Sequence, residues 1–130
     1  DKLLWSERQY SQAIGISKTG FHSSRKDKMP PPQHKKALSD YNRLVNLYPA
    51  LPFVYYNRAN LKTSLRKFQR AIDDYSMAIR LEPKLAEAYY NRALVLLYLK
   101  ENKLACKDLS KAGELGLTSV YYLIAKYCNQ

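Results

Sequence analysis

Apolar residues recur along this chain at intervals of three and four positions, the spacing that one buried face of an α-helix requires. Proline and glycine residues interrupt this pattern and mark where helices end. Runs of β-branched residues bounded by turn signals are nearly absent, so the pattern predicts an all-α protein. The predicted helices cover residues 2–17, 34–48, 52–65, 67–81, 86–100, 103–115 and 120–128.

Two neighbouring stretches of the chain repeat each other with a period of about 34 residues. The segment Tyr55–Ala59 returns as Tyr89–Ala93 with the same five residues. Further identities at the same separation pair Leu65 with Leu99, Ala71 with Ala105, Asp74 with Asp108, Ser76 with Ser110, Ala78 with Ala112 and Leu81 with Leu115. A fixed period of this size is typical of a helical solenoid, in which each helix hairpin stacks on a copy of itself. Function in such a protein is carried by a surface and not by a catalytic cluster.

The ends of the chain depart from the regular repeat. We divide the sequence into a degenerate N-terminal repeat over residues 1–51, full repeats over 52–85 and 86–118, and a capping helix over 119–130. Terminal repeats need such a cap because nothing further stacks on them. The basic, proline-rich insertion at residues 19–33 is long for a helix connection, so it is either a solvated loop or a docking element.

Two registers compete for the first predicted helix. Trp5 and Arg8 fit the first helix of a repeat, whereas residues 10–14 fit the second helix of a repeat. We prefer the first register, because it leaves the helix at residues 34–48 to complete the hairpin. The chain begins at Asp1 without an initiator Met, and we expect it to be a piece of a longer protein.

Several of the repeated positions match the pattern of one known family. Its aromatic fourth residue, its small eighth, twentieth and twenty-seventh residues and its closing proline correspond to Tyr55 and Tyr89, Ala59 and Ala93, Ala71 and Ala105, Ala78 and Ala112, and Pro83. In these positions the chain resembles the tetratricopeptide repeat (TPR). Small residues there let the two helices of a hairpin approach closely. The resemblance implies a right-handed α-solenoid of stacked antiparallel hairpins with a C-terminal capping helix, similar to the C-terminal repeats of long bacterial multi-TPR proteins.

The chain departs from the family pattern at a few positions. Arg58 and Arg92 stand where the family usually has Leu, and Leu109 replaces the aromatic residue found at Tyr75. Gly116 occupies the end of the last repeat in place of the closing proline, so a differently angled helix is expected to follow. We expect the solenoid to tolerate these changes.

TPR domains bind partners along a concave groove formed by the first helix of each hairpin. The resemblance implies a groove for a partner peptide or helix lined by Phe53, Tyr56, Asn57, Asn60, Ser64, Glu87, Tyr90, Asn91, Leu94 and Tyr98. Amide side chains can hold a peptide backbone through paired donors and acceptors. Asn57 and Asn91 remain open between this role and a structural one, whereas Tyr55 and Tyr89 are expected in the core.

Some TPR domains hold the terminal carboxylate of a chaperone tail with two Asn residues and several cations. Asn60 and Asn91 match the two Asn positions of that carboxylate clamp. Tyr56 stands where a Lys is expected, and Ser119 and Leu123 fall near the places of the other cations. A carboxylate without cations loses its charge-assisted hydrogen bonds. We therefore predict an ordinary peptide groove and no chaperone-tail binding.

The chain is strongly basic, with 22 Lys and Arg residues against 11 Asp and Glu residues. A net charge of +11 is compatible with a solvated surface and also with an acidic partner. Binding of nucleic acid or another polyanion is therefore the alternative function, with exposed Tyr rings and the cations Arg25, Lys26, Lys28, Lys35 and Lys36. No base-reading motif accompanies these cations.

Metal and redox chemistry find little support. Cys106 and Cys128 lie in different predicted helices without CxxC spacing, and neither His22 nor His34 lies at ligand spacing from them. We expect two structural thiols, with a disulfide between them left open, and no metal or other cofactor.

An enzyme active site is not predicted either. The Ser, His and Asp residues form no catalytic motif, and no Gly-rich phosphate loop is present. Asp73 and Asp74 share a helix face with Arg70 and Arg80, and we expect surface ion pairs there. No stretch is long and apolar enough to cross a bilayer, and no signal peptide is apparent. The sequence assigns neither a compartment, nor an oligomeric state, nor a named partner.

Overall fold

The structure, a computed structural model, describes residues 31–129. This part of the chain is helical throughout, which confirms the all-α prediction. Its elements are α1 (Pro31–Leu47), α2 (Pro52–Ser64), α3 (Phe68–Leu81), α4 (Ala86–Tyr98), α5 (Asn102–Glu114), a 3-10 turn (Thr118–Val120) and α6 (Tyr121–Tyr127). The helix predicted at residues 2–17 and nearly all of the insertion at 19–33 lie outside the described residues.

The helices pack as a row of hairpins. Helix α2 pairs with α3, and α4 pairs with α5, while α1 contacts α2 and α3 contacts α4. The chain therefore forms the predicted α-solenoid of stacked antiparallel hairpins. The division into an N-terminal degenerate repeat, two full repeats and a cap stays a prediction.

The turn inside each hairpin is closed by a residue in the left-handed conformation. Arg66 has φ +63° and Lys100 has φ +66°, and the two residues occupy equivalent positions of the two repeats. After each of these residues, the next N–H reaches back to the helix: Lys67 donates to the Lys62 carbonyl and Glu101 to the Leu96 carbonyl, both at 2.8 Å. These bonds satisfy carbonyls that a helix end leaves unpaired. Neither turn uses the glycine that this conformation favours.

Small residues hold the two helices of each hairpin close together. The side chains of six alanines are fully buried between the helices, namely Ala59, Ala71, Ala78, Ala93, Ala105 and Ala112. Of the two aromatic residues expected in the core, Tyr55 is buried, and Tyr89 is partly buried and packs against the core. The Tyr55 hydroxyl donates to the Pro49 carbonyl at 2.9 Å and the Tyr89 hydroxyl to the Pro83 carbonyl at 3.1 Å. The two repeats therefore share this hydrogen bond at equivalent positions.

The C-terminal segment folds back onto α5. Val120 and Leu123 are buried against the last hairpin, and Gly113 allows their close approach. A Cβ added at Gly113 would lie 2.9 Å from the Tyr121 hydroxyl and 3.2 Å from Val120 Cγ2. The equivalent position one repeat earlier is Ile79, which carries a full side chain. Gly113 thus lets the C-terminal segment pack directly against α5.

A disulfide ties the cap to the last hairpin. Cys106 of α5 and Cys128 after α6 are bonded, with their Cα atoms 5.8 Å apart. The sequence left this disulfide open, and it forms because α6 returns along α5 and brings the two side chains together. Within residues 31–129, no helix combines the length and the apolarity needed to span a membrane.

Candidate partner-binding surface

Four of the ten predicted groove residues keep solvent-exposed surface. Phe53 is 40% exposed, and Asn57, Ser64 and Tyr98 are partly exposed. Three of them belong to α2 and Tyr98 ends α4, so the accessible positions come from the first helix of both hairpins. Their mixture of rings, an amide and a hydroxyl suits contact with a polypeptide.

The remaining six predicted groove residues are buried. Their exposed fractions are 7% or less for Tyr56, Asn60, Glu87, Tyr90, Asn91 and Leu94. A partner that meets the four exposed residues would therefore find these six beneath or beside them. The role of all ten in binding stays a prediction.

Two amide side chains connect the hairpins beneath this surface. Asn91 Nδ2 of α4 donates to Asn60 Oδ1 at 2.9 Å and to the Tyr56 hydroxyl at 3.1 Å, both on α2. The Tyr75 hydroxyl donates to the same Asn60 oxygen from α3. Amide donors and acceptors are thus shared between the two hairpins. The sequence placed Asn60 and Asn91 on the same surface, but it did not reveal that they bind each other.

The Asn91 carbonyl oxygen is left without a hydrogen bond. Asn91 is fully buried, and its Oδ1 receives no donor from the described residues. Rotating the amide would bring Oδ1 to the Tyr56 hydroxyl, which can donate, but would also turn it towards Asn60 Oδ1, which is an acceptor. A buried acceptor without a donor costs roughly 1–3 kcal/mol. Because Asn91 is 0% exposed, its amide links the two hairpins and is out of reach of a bound partner.

Glu87 adds a buried carboxyl group to this surface. It lies in the first turn of α4 and is 5% exposed. Burial raises the pKa of Glu87, and the hydrogen bond with its own backbone N–H lowers it by less. Desolvation therefore disfavours the ionised form of this side chain.

The positions that a carboxylate clamp would fill with cations hold other groups. Tyr56 is buried and accepts a hydrogen bond from Asn91, Leu123 is buried in the cap, and Ser119 is an exposed hydroxyl residue. None of the three can supply the positive charge that a terminal carboxylate requires.

Arginine residues that depart from the family pattern form ion pairs within each hairpin. Arg58 donates through Nε and Nη2 to both carboxylate oxygens of Asp74 at 2.7 and 2.8 Å, and Arg92 contacts Asp108 in the same way at 2.7 Å for both bonds. Bidentate pairs of this kind are among the stronger protein hydrogen bonds. The Asp74 pair raises the pKa of the Arg58 guanidinium, and Asp108 acts likewise on Arg92.

The same arginines also reach the preceding helix. Arg58 Nη1 donates to Asn42 Oδ1, and Arg92 Nη1 donates to Ser76 Oγ, each at 3.0 Å. The two acceptors themselves occupy equivalent positions of successive repeats. Each arginine therefore joins its own helix to two others. We had expected the solenoid only to tolerate an Arg at these positions, so this linking role was missed. The available signal was an Arg and an Asp that recur together, at the same spacing from each other, in both repeats.

Asp74 does not form the surface ion pair that we expected from its helix face. It is 5% exposed and pairs with Arg58 and with Lys62 Nζ, the latter at 2.9 Å. The expectation with Arg70 and Arg80 was wrong because Asp74 points across the hairpin towards α2. Asp73 does stay on the surface, where it accepts a hydrogen bond from Gln69.

The cations of the polyanion alternative are only partly described. Lys35 and Lys36 are exposed on α1, whereas Arg25, Lys26 and Lys28 lie outside the described residues. Across residues 31–129, no three His, Cys, Asp or Glu side chains are grouped closely enough to share a metal ion.

Comparison with known proteins agrees with this class of helical-repeat protein. Residues 52–85 match the sequence model of the family described as tetratricopeptide repeat. The first TPR of Spaghetti (RPAP3), solved bound to the HSP90 peptide SRMEEVD, is 24% identical with a TM-score of 0.69, covering 75% of this chain and 80% of that chain. The NMR structure of the first TPR domain of human RPAP3 is also 24% identical, with a TM-score of 0.63 and coverage of 76% and 85%. A search among curated proteins gives no match.

Residues 52–85 thus match the tetratricopeptide repeat model, and the described part of the chain has the fold of the TPR domains to which it is similar. The narrower resemblance to bacterial multi-TPR proteins stays a prediction.

Proposed function

We propose that this chain is a non-catalytic interaction module that binds a segment of another protein along the surface formed by α2 and α4. The observation that carries the proposal is that α2 and α4 present accessible side chains together, above hairpins joined by the buried Asn91 amide. These accessible side chains are Phe53, Asn57, Ser64 and Tyr98. The similar RPAP3 domain, which is solved with a bound peptide, supports the same class of function.

The exposed residues would make the first contacts with the partner. Phe53 and Tyr98 offer flat apolar area, and Asn57 offers both a donor and an acceptor. Tyr98 is preorganised, because its ring packs against Phe68 at a centroid distance of 4.8 Å and its hydroxyl accepts a hydrogen bond from Arg66. A rigid aromatic side chain loses little entropy on binding.

The test begins with selection of peptides from a random displayed library on the wild-type chain. The affinity of the selected peptide is then measured by fluorescence anisotropy for Tyr98→Ala, Asn57→Ala and the double variant Asn57→Ala plus Asn91→Ala. We expect a loss of about tenfold for Tyr98→Ala and a larger loss for the double variant.

Matched controls separate this surface from the rest of the chain. Asn46→Ala removes an exposed amide from α1, and Tyr48→Ala removes an exposed ring from the turn after it. Both should leave the affinity within about twofold. Circular dichroism verifies folding of each variant. Equal losses in the control and groove variants, or unchanged affinity in Tyr98→Ala and the double variant, would overturn the proposal.

A further inference from the structure

A second surface of the molecule has the features of a binding site. A cleft of about 470 Å³ opens between α3 of the first full repeat and α4 and α5 of the second. We call it the α3–α5 cleft and define it by its apolar residues Ile72, Leu96 and Leu104 and its lysines Lys107 and Lys111. It is an open depression on the surface and not an enclosed cavity. None of these residues belongs to the predicted groove.

The apolar part of the cleft reaches the surface. Leu96 is 8% exposed and forms the deep part, Ile72 is partly exposed, and Leu104 is 51% exposed. An apolar side chain that enters the cleft can therefore contact both the buried Leu96 and the exposed Leu104. Solvent-exposed leucines are common, but one that continues an apolar cleft is a candidate contact.

The charge of the cleft is unbalanced. The one carboxylate in its lining, Asp108, is already bound by both arms of Arg92. Lys107 and Lys111 are exposed, and among residues 31–129 no carboxylate lies within ion-pairing distance of either. They stand one helical turn apart on α5, where like charges repel each other. The cleft therefore presents two uncompensated positive charges beside an apolar floor.

The equivalent place one repeat earlier is chemically different. The residues that correspond there to Leu96, Leu104, Lys107 and Lys111 are Lys62, Arg70, Asp73 and Met77. Lys62 ion-pairs with Asp74, so a charged side chain takes the place of the apolar floor. The rim there carries a carboxylate and a thioether where the second repeat has its two lysines. Stacking of hairpins alone therefore does not require the apolar, basic character of the α3–α5 cleft.

We propose that the α3–α5 cleft binds an acidic segment of a partner protein that inserts one large apolar side chain beside Leu96 and Leu104. Carboxylates about one helical turn apart on that segment pair with Lys107 and Lys111. A second copy of this chain is a poor occupant, because the chain carries twice as many basic as acidic residues. This site is independent of the surface on α2 and α4, so both can be occupied together.

The test uses a fluorescein-labelled 12-residue peptide in which a single Phe is flanked on both sides by Glu residues. Anisotropy titrations at 0.15 M salt compare it with two matched peptides, one with every Glu changed to Gln and one with Phe changed to Ser. We expect each change to weaken binding by about tenfold or more. Equal binding by all three peptides would overturn the proposal.

Variants of the chain then locate the site. Lys107→Glu plus Lys111→Glu, and separately Leu104→Ala, should each weaken binding of the original peptide by about tenfold. Lys35→Glu plus Lys36→Glu is the matched control, because it makes the same change of net charge on exposed positions of α1. It should change the affinity less than about threefold. An equal loss in the control would mean general attraction to a basic protein and would overturn the proposal.

A direct readout complements the variants. In methyl NMR spectra, the peptide should shift the signals of Ile72, Leu96 and Leu104, and Tyr98→Ala should leave those shifts and the affinity unchanged. Peptide shifts confined to α2, or a single-stranded oligonucleotide that occupies the cleft when the peptide does not, would contradict the assignment. Failure of this site would leave the proposed function untouched, since the two experiments use different residues.

Discussion

At the scale of single residues, polar side chains connect the helices of this protein at recurring positions. Arg92 illustrates this, since one guanidinium joins α4 to Asp108 of its own hairpin and to Ser76 of the hairpin before. Removing one member of such a buried pair should lower the stability of the fold, because the remaining polar group has lost both its hydrogen bonds and its hydration.

Arg92→Leu tests this connection by restoring the residue type that TPR repeats usually carry at that position. We expect a loss of about 2 kcal/mol in the free energy of unfolding, because Asp108 would remain buried without its partner. The estimate is below that for a fully buried pair, since Arg92 is 22% exposed in its side chain. Urea denaturation measures the loss. The double variant Arg92→Leu plus Asp108→Asn should recover part of it, and no recovery would contradict this explanation.

Glu87→Gln tests the buried carboxyl group. Burial raises the pKa of Glu87 above its ordinary value of 4.5, so the folded state favours the protonated side chain. The contribution of Glu87 to stability is therefore greatest below pH 4.5 and declines as the pH rises through 4.5 and the folded-state pKa. The variant should have a higher Tm than the wild type at pH 7 and lose that advantage below pH 4.5.

Glu114→Gln is the matched control for this experiment, because Glu114 is exposed at the end of α5. Its pH dependence should follow that of the wild type. A Glu87→Gln effect that is the same at pH 4 and pH 7 would show that desolvation of the carboxylate is not its cause.

At the scale of helices, the turns and the cap are stabilised differently from the helix interiors. Both hairpin turns place a charged, non-glycine residue at positive φ, whereas Gly116 after α5 has φ +106°. Helix α6 has only seven residues, and both apolar packing and the Cys106–Cys128 disulfide hold it against α5. A helix of that length is not stable without tertiary contacts.

Lys100→Gly tests the turn between α4 and α5. Glycine adopts φ +66° without the steric cost that Lys bears, so we expect a gain of about 0.5–1 kcal/mol in stability. Lys107→Gly is the control within a helix and should lose about 1 kcal/mol. Thermal unfolding of both variants gives the comparison. Destabilisation by Lys100→Gly would mean that its side chain contributes more than its backbone conformation costs.

Cys106→Ser plus Cys128→Ser tests the covalent tie of the cap. The bond closes a loop across a sequence separation of 22 residues, so its loss should cost about 2–3 kcal/mol. Hydrogen exchange should accelerate in α6 more than in α2 and α3. Each single substitution should equal the double one, because either breaks the bond. This prediction would be contradicted if the double variant had the same Tm as the oxidised wild type.

The sequence predicted the helices well, because their interiors depend on interactions between residues close together in the chain. The helix interiors follow from apolar spacing, and the predicted helices over residues 52–115 end within about two residues of the observed ones. The helix predicted at residues 120–128 likewise agrees with α6 within one residue at each end. The 3-10 turn over Thr118–Val120 that precedes α6 was not predicted.

At the scale of the whole molecule, the stacking of hairpins creates two surfaces with different chemistry. The surface on α2 and α4 combines exposed rings with buried amides, and the α3–α5 cleft combines leucines with exposed lysines. A net charge of +11 favours acidic partners at either place. Specificity must then come from the local groups, because the overall charge attracts every polyanion.

The peptide SRMEEVD tests which kind of recognition the first surface provides. Because Tyr56, Ser119 and Leu123 supply no cations, we expect isothermal titration to detect no binding that depends on the terminal carboxylate, so that the free-acid and C-terminally amidated peptides agree within about twofold. The similar RPAP3 domain, solved with this peptide, is the positive control. A loss of about tenfold on amidation would mean that this chain recognises the terminal carboxylate after all.

The sequence by itself determined the repeat period, the helix hairpins and the small residues between them, because these follow from spacing along one chain. Only the tertiary structure decided which polar groups meet. Asn91 reaches Asn60 across 31 positions, and Cys106 reaches Cys128 across 22. Such meetings depend on how the helices cross, and apolar periodicity determines which face of a helix is buried without determining which side chain it will meet there.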